Sequence, residues 1–181
     1  MRSLLFILTI ASIFPSCNKD NVNAGETVEI YLLKSYEIMA AKCQIDPSLS
    51  VLQDVAIIKN QDILAYSQTE YTFTLTDTAI QKIKVLRDKM PFAVTVDKQV
   101  IYYGFFKPSF SSSSCNESIT MDLAWTSDNE IYLRLGYPGL LQGVSIEDKR
   151  NAPKLIAALE KQGKLDEYCR EYQRKTPTNS G

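Results

Sequence analysis

The chemistry open to this chain is limited by four cysteines and by the absence of histidine. Without imidazole the chain cannot form a Ser-His-Asp or Cys-His nucleophile pair, or a zinc site built on histidine. General acid–base catalysis would fall to carboxylates, Lys or Tyr. The cysteine spacings are far from any C-x-x-C pattern, so we predict neither a metal ion nor a bound cofactor.

The densest cluster of nucleophilic side chains is the run Ser111 to Ser114, followed by Cys115. A serine or thiol nucleophile needs an activating neighbour, and a Ser-Lys pair would need Lys107 or a more distant lysine beside it. The preferred interpretation is a serine-rich loop after a strand, with Cys115 buried or in a disulfide. Carboxylates such as Asp122 and Glu130 are also present, but nothing in the sequence brings two of them together. The sequence therefore identifies no catalytic residue.

Aromatic residues are the best candidates for binding. Strand alternation places Tyr103 and Phe105 on one face and Tyr102 and Phe106 on the other, and Trp125 follows later in the chain. One face must meet the core, and the other is a candidate platform for a sugar or a protein partner. The alternative interpretation is a strand covered on both faces.

The N-terminus has the pattern of an export signal, with Arg2 before an apolar run from Leu4 to Phe14. That run is too short to span a bilayer as a mature helix. Ser16-Cys17 resembles the lipobox of bacterial lipoproteins, although Phe14 and Pro15 depart from its usual form. The resemblance implies that residues 1–16 are a removed signal peptide and that Cys17 is acylated, for example with palmitate. The alternative is a secreted protein cut near Ser16, with Cys17 free for disulfide chemistry.

An acylated Cys17 would anchor the protein stably, because several acyl chains bury many CH₂ groups. Residues 17–26 then form a flexible polar tether. Cys43, Cys115 and Cys169 remain, and an exported chain meets an oxidising compartment, so we expect one disulfide. Three pairings are open, and the sequence does not choose among them.

Composition favours one folded domain and excludes one class of partner. The chain has 181 residues, 45% of them hydrophobic, and a net charge of -1. We place a single domain at residues 27–174 and a disordered tail at residues 175–181. A charge near zero gives no electrostatic basis for nucleic-acid binding.

The periodicity of apolar residues predicts the elements that must position these side chains. Period-two alternation indicates an initial strand and three hairpins, and helical spacing follows Asp77 and Pro153. Thr78 with Gln81 forms a candidate capping box, Asp77 is a second N-cap candidate, and Pro91 is expected to end that helix. Gly104 inside its strand indicates a bulge or a close backbone approach. The predicted strands are residues 28–32, 62–66, 71–75, 92–96, 99–106, 118–125 and 130–137.

The predicted fold class is therefore α+β. We expect an antiparallel or mixed sheet of about six strands arranged in hairpins, with two or three helices on one face.

Thr78 is also a candidate glycosylation site. Asp77-Thr78-Ala79 matches the short Asp-Thr-small-residue pattern at which Bacteroidetes attach O-glycans to exported proteins. The alternative role of Thr78 is helix capping.

Two longer stretches resemble known families. Residues 62–106 form a predicted β-β-α-β-β block that resembles the soluble periplasmic head of SecD-type protein-export subunits. Because the membrane helices of those subunits are absent, this resemblance implies a fold element and not transport. The stretches "YYGFFKPSFSSSSC", "LGYPG" and "EDKRNAPKLIAALEKQGKL" resemble uncharacterised Bacteroidetes lipoproteins. That resemblance implies one compact domain in the cell envelope, on an outer-membrane lipoprotein that faces the periplasm or the cell surface.

The sequence thus predicts a membrane-anchored, exported, non-enzymatic lipoprotein that binds a protein or glycan partner in the envelope. The alternative is a small hydrolase that uses carboxylate or Ser-Lys chemistry.

Overall fold

The computed structural model describes residues 26–40, 42–108, 111–123 and 129–166. The predicted signal peptide, Cys17, nearly all of the tether, Trp125, Cys169 and the C-terminal tail lie outside these residues. Among the described residues, no helix is long and apolar enough to cross a membrane.

The described part of the chain forms an α+β fold with one mixed sheet, as predicted, but with eight strands instead of about six. Each of the seven predicted ranges overlaps a strand, and the eighth strand is a two-residue edge strand, β2, which the sequence did not predict. The strands are β1 (Val28–Ser35), β2 (Val51–Leu52), β3 (Ile63–Ser67), β4 (Thr72–Leu75), β5 (Met90–Val96), β6 (Gln99–Lys107), β7 (Cys115–Leu123) and β8 (Glu130–Tyr137). The helices are α1 (Asp77–Lys84) and α2 (Pro153–Lys161), with single 3₁₀ turns at Pro47–Leu49 and Asn60–Asp62.

The strand order across the sheet is β2-β1-β5-β6-β7-β8-β4-β3. The three predicted hairpins, β3–β4, β5–β6 and β7–β8, are all present and antiparallel. Asp97 and Lys98, the predicted tight turn, both have positive φ, as a type I′ hairpin turn requires. The β6–β7 neighbours pair in parallel, and this makes the sheet mixed.

Both helices pack against the same face of the sheet. Ile80 and Ile83 of α1 and Leu155 and Leu159 of α2 belong to one buried cluster, which also contains Phe92 at the centre of the sheet. Fully burying such a side chain contributes about 1.5–3 kcal/mol, so this face holds most of the apolar driving force.

The N-terminus of α1 differs from the prediction. Thr76 is the N-cap, and its side-chain oxygen accepts a hydrogen bond from the Ala79 N–H (3.4 Å). Because β4 ends at Leu75, the helix begins two residues earlier than a Thr78 capping box would allow. The expectation that Pro91 ends the helix is also wrong, because the helix stops at Lys84 and Pro91 lies in β5 opposite Phe105.

Gly104 occupies a close approach between strands, as predicted. A Cβ at this position would lie 2.4 Å from the Ile119 carbonyl oxygen and 2.5 Å from Cζ of Phe92. Any side chain here would therefore push β7 away from β6 or displace the Phe92 ring.

The segment that follows β1 covers part of the opposite face of the sheet, and the Cys43–Cys115 disulfide joins it to the start of β7. Ile45, from the segment that follows β1, packs with Ala93 and Phe105 of the sheet in a second buried cluster that also holds Cys115. The prediction of one disulfide is confirmed, and the structure selects this pairing from the three that the sequence left open.

Candidate ligand-binding cleft

A cleft opens where β6 and β7 separate. Hydrogen-bonded pairing of these strands begins at Gly104 opposite Ile119, so the preceding residues of each strand diverge. The resulting cavity has a volume of about 340 Å³, within the range of small-molecule sites. The segments 44–47 and 145–149 contribute the remaining walls. The cavity is lined by Gln44, Ile45, Pro47, Val100, Ile101, Tyr102, Tyr103, Glu117, Ser118, Ile119, Ser145, Ile146, Glu147 and Lys149.

Tyr102 lines this cleft, and its hydroxyl is buried. Its side chain is 4% exposed, and its hydroxyl oxygen has no hydrogen-bond partner. Burial raises the pKa of this phenol well above its ordinary value, so the group stays protonated and can donate. A buried, unpaired hydroxyl costs about 1–3 kcal/mol.

Tyr103 presents part of its ring on the other side of β6. It is half-buried, and burial raises the pKa of its phenol. Because successive residues of a strand face opposite ways, Tyr102 and Tyr103 approach the cleft from its two sides. Tyr103 thus gives the cleft a partly exposed aromatic surface.

The charged groups of the cleft are already engaged with neighbours. Glu117 Oε2 accepts a hydrogen bond from the Cys43 N–H (3.2 Å), and Glu147 forms an ion pair with Lys149 (3.0 Å). Glu117 is therefore fixed beside the disulfide. The cleft offers hydrogen-bonding groups of both kinds and no strong excess of one charge, which suits an uncharged polar ligand.

The other aromatic candidates lie elsewhere. Phe105 is 1% exposed, and its ring meets that of Tyr36 edge-on with centroids 6.4 Å apart. Phe106 packs against Phe92 in the core on the helix side (5.0 Å between centroids). Trp125 lies outside the described residues. Among the candidate binding residues that the structure describes, Tyr102 and Tyr103 are thus the two that share the cleft.

The serine-rich loop is brought to Lys107, the partner that a Ser-Lys pair would require. Lys107 is buried in the sheet, and its Nζ lies 2.8 Å from Oγ of both Ser111 and Ser113 and 2.7 Å from Oδ1 of Asp88. Ser113 in turn donates a hydrogen bond to Asp88. Burial alone would raise the pKa of Asp88, but the hydrogen bonds from Lys107, Ser113 and Ser111 outweigh it and hold that pKa below its ordinary value of 3.8.

This network has the features of a structural anchor. A lysine acts as a general base through a free lone pair, whereas the Lys107 ammonium donates to two hydroxyls and is ion-paired with Asp88. The Ser113 carbonyl oxygen is a further acceptor, 2.8 Å from Nζ. The arrangement ties the connection between β6 and β7 to the sheet.

The carboxylates considered from the sequence do not line the cleft. Asp122 forms an ion pair with Arg134 (3.1 Å), and Glu130 accepts a hydrogen bond from the Tyr132 hydroxyl (2.9 Å). The two carboxylates that do line it, Glu117 and Glu147, were not singled out by the sequence reasoning. Glu117 and Glu147 are far apart in the sequence, and no sequence pattern indicates that they line the same cavity.

Thr78, the candidate glycosylation residue, is exposed in the first turn of α1. Its hydroxyl donates a hydrogen bond to Oγ1 of Thr76 (3.3 Å). Since Thr76 is the cap, helix capping does not occupy Thr78, and its glycosylation stays a prediction.

The residues that the structure describes contain no group of three or more Cys, Asp or Glu that could hold a metal ion. Comparison of the chain with family models, with curated proteins and with solved structures found no match. The resemblances to lipoproteins and to SecD-type heads therefore stay predictions.

Proposed function

We propose that this chain is a lipid-anchored, non-enzymatic protein of the bacterial cell envelope that binds an uncharged glycan in the cleft between β6 and β7. The observation that carries the proposal is the cavity of about 340 Å³ that is lined by the half-buried ring of Tyr103 and by the hydrogen-bonding side chains of Gln44 and Glu117.

The chemistry of the cleft supports a sugar as ligand. Sugar hydroxyls can donate hydrogen bonds to acceptors such as Glu117 and Gln44, and sugar oxygens can accept them from the Gln44 side-chain amide. A partly exposed aromatic face, here that of Tyr103, packs well against the apolar face of a sugar ring. A volume of about 340 Å³ accommodates one or two such rings.

Two observations support the envelope location. Ser16-Cys17 resembles a lipobox, and the Cys43–Cys115 disulfide is typical of proteins that work in an oxidising compartment. The outer membrane is the proposed site of anchoring, with the domain facing the periplasm or the cell surface.

Metabolic labelling with a palmitate analogue tests the anchor. We expect Cys17→Ala to abolish labelling, and the matched control Cys169→Ala to keep it. Unchanged labelling of Cys17→Ala would contradict the lipoprotein proposal.

Glycan binding is tested on arrays and by calorimetry with fragments of envelope polysaccharides. We expect Tyr103→Ala to weaken binding at least tenfold, because it removes the stacking surface. Tyr132→Ala is the matched control, since Tyr132 is another half-buried tyrosine on the sheet but does not line the cleft. Equal binding by the two variants, or binding of a protein and of no glycan, would overturn the glycan assignment.

The alternative is a small hydrolase, and the contact between Lys107 and Ser111 is the observation that favours it. An activity-based fluorophosphonate probe, which labels activated serines, separates the two functions. The binding proposal predicts no labelling of the wild-type chain, whereas labelling that Ser111→Ala or Ser113→Ala abolished would establish the hydrolase.

A further inference from the structure

A second surface, independent of the cleft, lies at the turn that follows β1. Three large apolar side chains are exposed there: Tyr36 (38%), Ile38 (50%) and Met39 (39%). We call residues 36–40 together with Lys42 the apolar tip. Apolar side chains grouped in this way on a protein surface usually mark a contact with a partner or a membrane.

The tip is held in place by hydrogen bonds and by the disulfide. The Met39 N–H donates to the Gln44 carbonyl oxygen (2.8 Å), and the Lys42 N–H donates to the Met39 carbonyl oxygen (3.0 Å). Cys43, directly after the tip, is bonded to Cys115. The exposure of Ile38 and Met39 is therefore a feature of the folded domain.

Basic side chains surround the apolar tip. Lys42 and Lys89 line a cavity of about 520 Å³ together with Tyr36, Ile38 and Met39, and Lys34 lies just before the tip. Among the described residues, none of these three lysines has an ion-pair partner. Asp88, next to Lys89, is paired with Lys107, so Glu37 is the one carboxylate within the tip itself.

We propose that the apolar tip inserts into the headgroup region of an anionic phospholipid leaflet. Aliphatic, thioether and tyrosine side chains ringed by lysines are the pattern of interfacial membrane contact, in which apolar groups enter the boundary and lysines meet anionic headgroups. A groove for an apolar peptide would not need three unpaired lysines around it.

The length of the predicted tether is compatible with this contact. The nine residues from Asn18 to Glu26 span at most about 30 Å, and the eight residues of β1 span about 26 Å. An anchor at Cys17 can therefore lie level with the tip at the far end of β1. The position of the anchor relative to the tip rests on the proposed lipidation of Cys17. The exposed apolar side chains and the lysines at the tip do not depend on it.

The test places an environment-sensitive nitrobenzoxadiazole fluorophore on Met39→Cys in the full chain, with Cys169→Ser to leave a single reactive thiol. The control carries the same label on Leu141→Cys, another exposed apolar position (52%) outside the tip. With vesicles of phosphatidylglycerol and phosphatidylcholine, we expect the emission at position 39 to rise severalfold and to be quenched by nitroxide-labelled lipids. Neither change is expected at position 141.

Charge reversal tests the lysines. Lys42→Glu with Lys89→Glu should reduce the emission change at position 39 severalfold, as should vesicles of phosphatidylcholine alone. Failure of the anchor would appear as loss of vesicle flotation, whereas failure of the tip proposal would appear as unchanged, water-like emission at position 39 in the fraction that floats. Equal signals at positions 39 and 141, or crosslinking of position 39 in cells to a protein and not to lipid, would also overturn the membrane assignment.

Discussion

Cys43 and Cys115, which are 72 residues apart in the chain, form the bond that joins the segment after β1 to the start of β7. The Cys43 N–H also donates to Glu117 at the wall of the cleft. The disulfide therefore supports both the fold and the proposed binding site.

Removing the disulfide with Cys43→Ala and Cys115→Ala should lower the free energy of unfolding by about 2–4 kcal/mol, because a long loop in the unfolded chain is no longer closed. Urea denaturation measures this. A reducing agent should destabilise the wild type and leave the double variant unchanged. Two free thiols at Cys43 and Cys115 in the oxidised wild type, found by non-reducing mass spectrometry, would contradict the pairing.

Tyr102→Phe should separate stability from binding. The Tyr102 hydroxyl has no partner, so its loss should leave the free energy of unfolding unchanged or raise it by up to about 1 kcal/mol. Glycan affinity should be unchanged, because the Tyr102 hydroxyl is buried away from the ligand. Tyr66→Phe is the matched control, because the Tyr66 hydroxyl donates to the Arg150 carbonyl oxygen (2.8 Å) and its removal should cost about 1 kcal/mol. A large loss of stability in Tyr102→Phe would mean that its hydroxyl is satisfied.

Lys107→Met should destabilise the domain by about 2–3 kcal/mol. The substitution leaves the Asp88 carboxylate and two serine hydroxyls without their buried donor, and the partial exposure of Asp88 keeps the loss below that of a fully buried pair. Lys34→Met, at an exposed position, should change stability by no more than about 0.5 kcal/mol. The double variant Lys107→Met, Asp88→Asn should cost less than the sum of the two single changes, and strict additivity would argue against the network.

Stability should fall in acid partly through Asp88. Its pKa is lowered in the folded protein, so the unfolded chain binds the proton more readily. The stabilisation is fully present above the ordinary carboxyl pKa of 3.8 and is lost as the pH falls through the folded value. Asp88→Asn should flatten the curve of unfolding free energy against pH in this acid range. An unchanged slope would show that Asp88 does not contribute.

Local patterns predicted much of the secondary structure because alternation and helical spacing are properties of neighbouring residues. The β5–β6 turn at Asp97-Lys98 and the close approach at Gly104 were both recognised in this way. The exact cap of α1 was not, because Thr76, Asp77 and Thr78 are all good capping residues. The choice depends on where β4 ends.

The arrangement of strands could not be read from local patterns. The parallel pairing of β6 with β7 depends on how the chain crosses the sheet between them. Because this pairing begins at Gly104, the residues that precede Gly104 in β6 separate from β7, and the cleft opens there. Glu117 and Glu147 are distant in the sequence, and both line this cleft. For the same reason, the choice of Cys115 as the partner of Cys43 required the structure.

Nuclear magnetic resonance mapping of a bound glycan tests the central claim most directly. The isotope-labelled chain is titrated with the fragment that binds best on the array, and amide shifts are followed residue by residue. The account predicts saturable shifts clustered at residues 100–103, 117–119 and 145–149, and their loss in Tyr103→Ala. Shifts centred on the serine loop at residues 111–114, or no saturable shift with any envelope glycan, would contradict it.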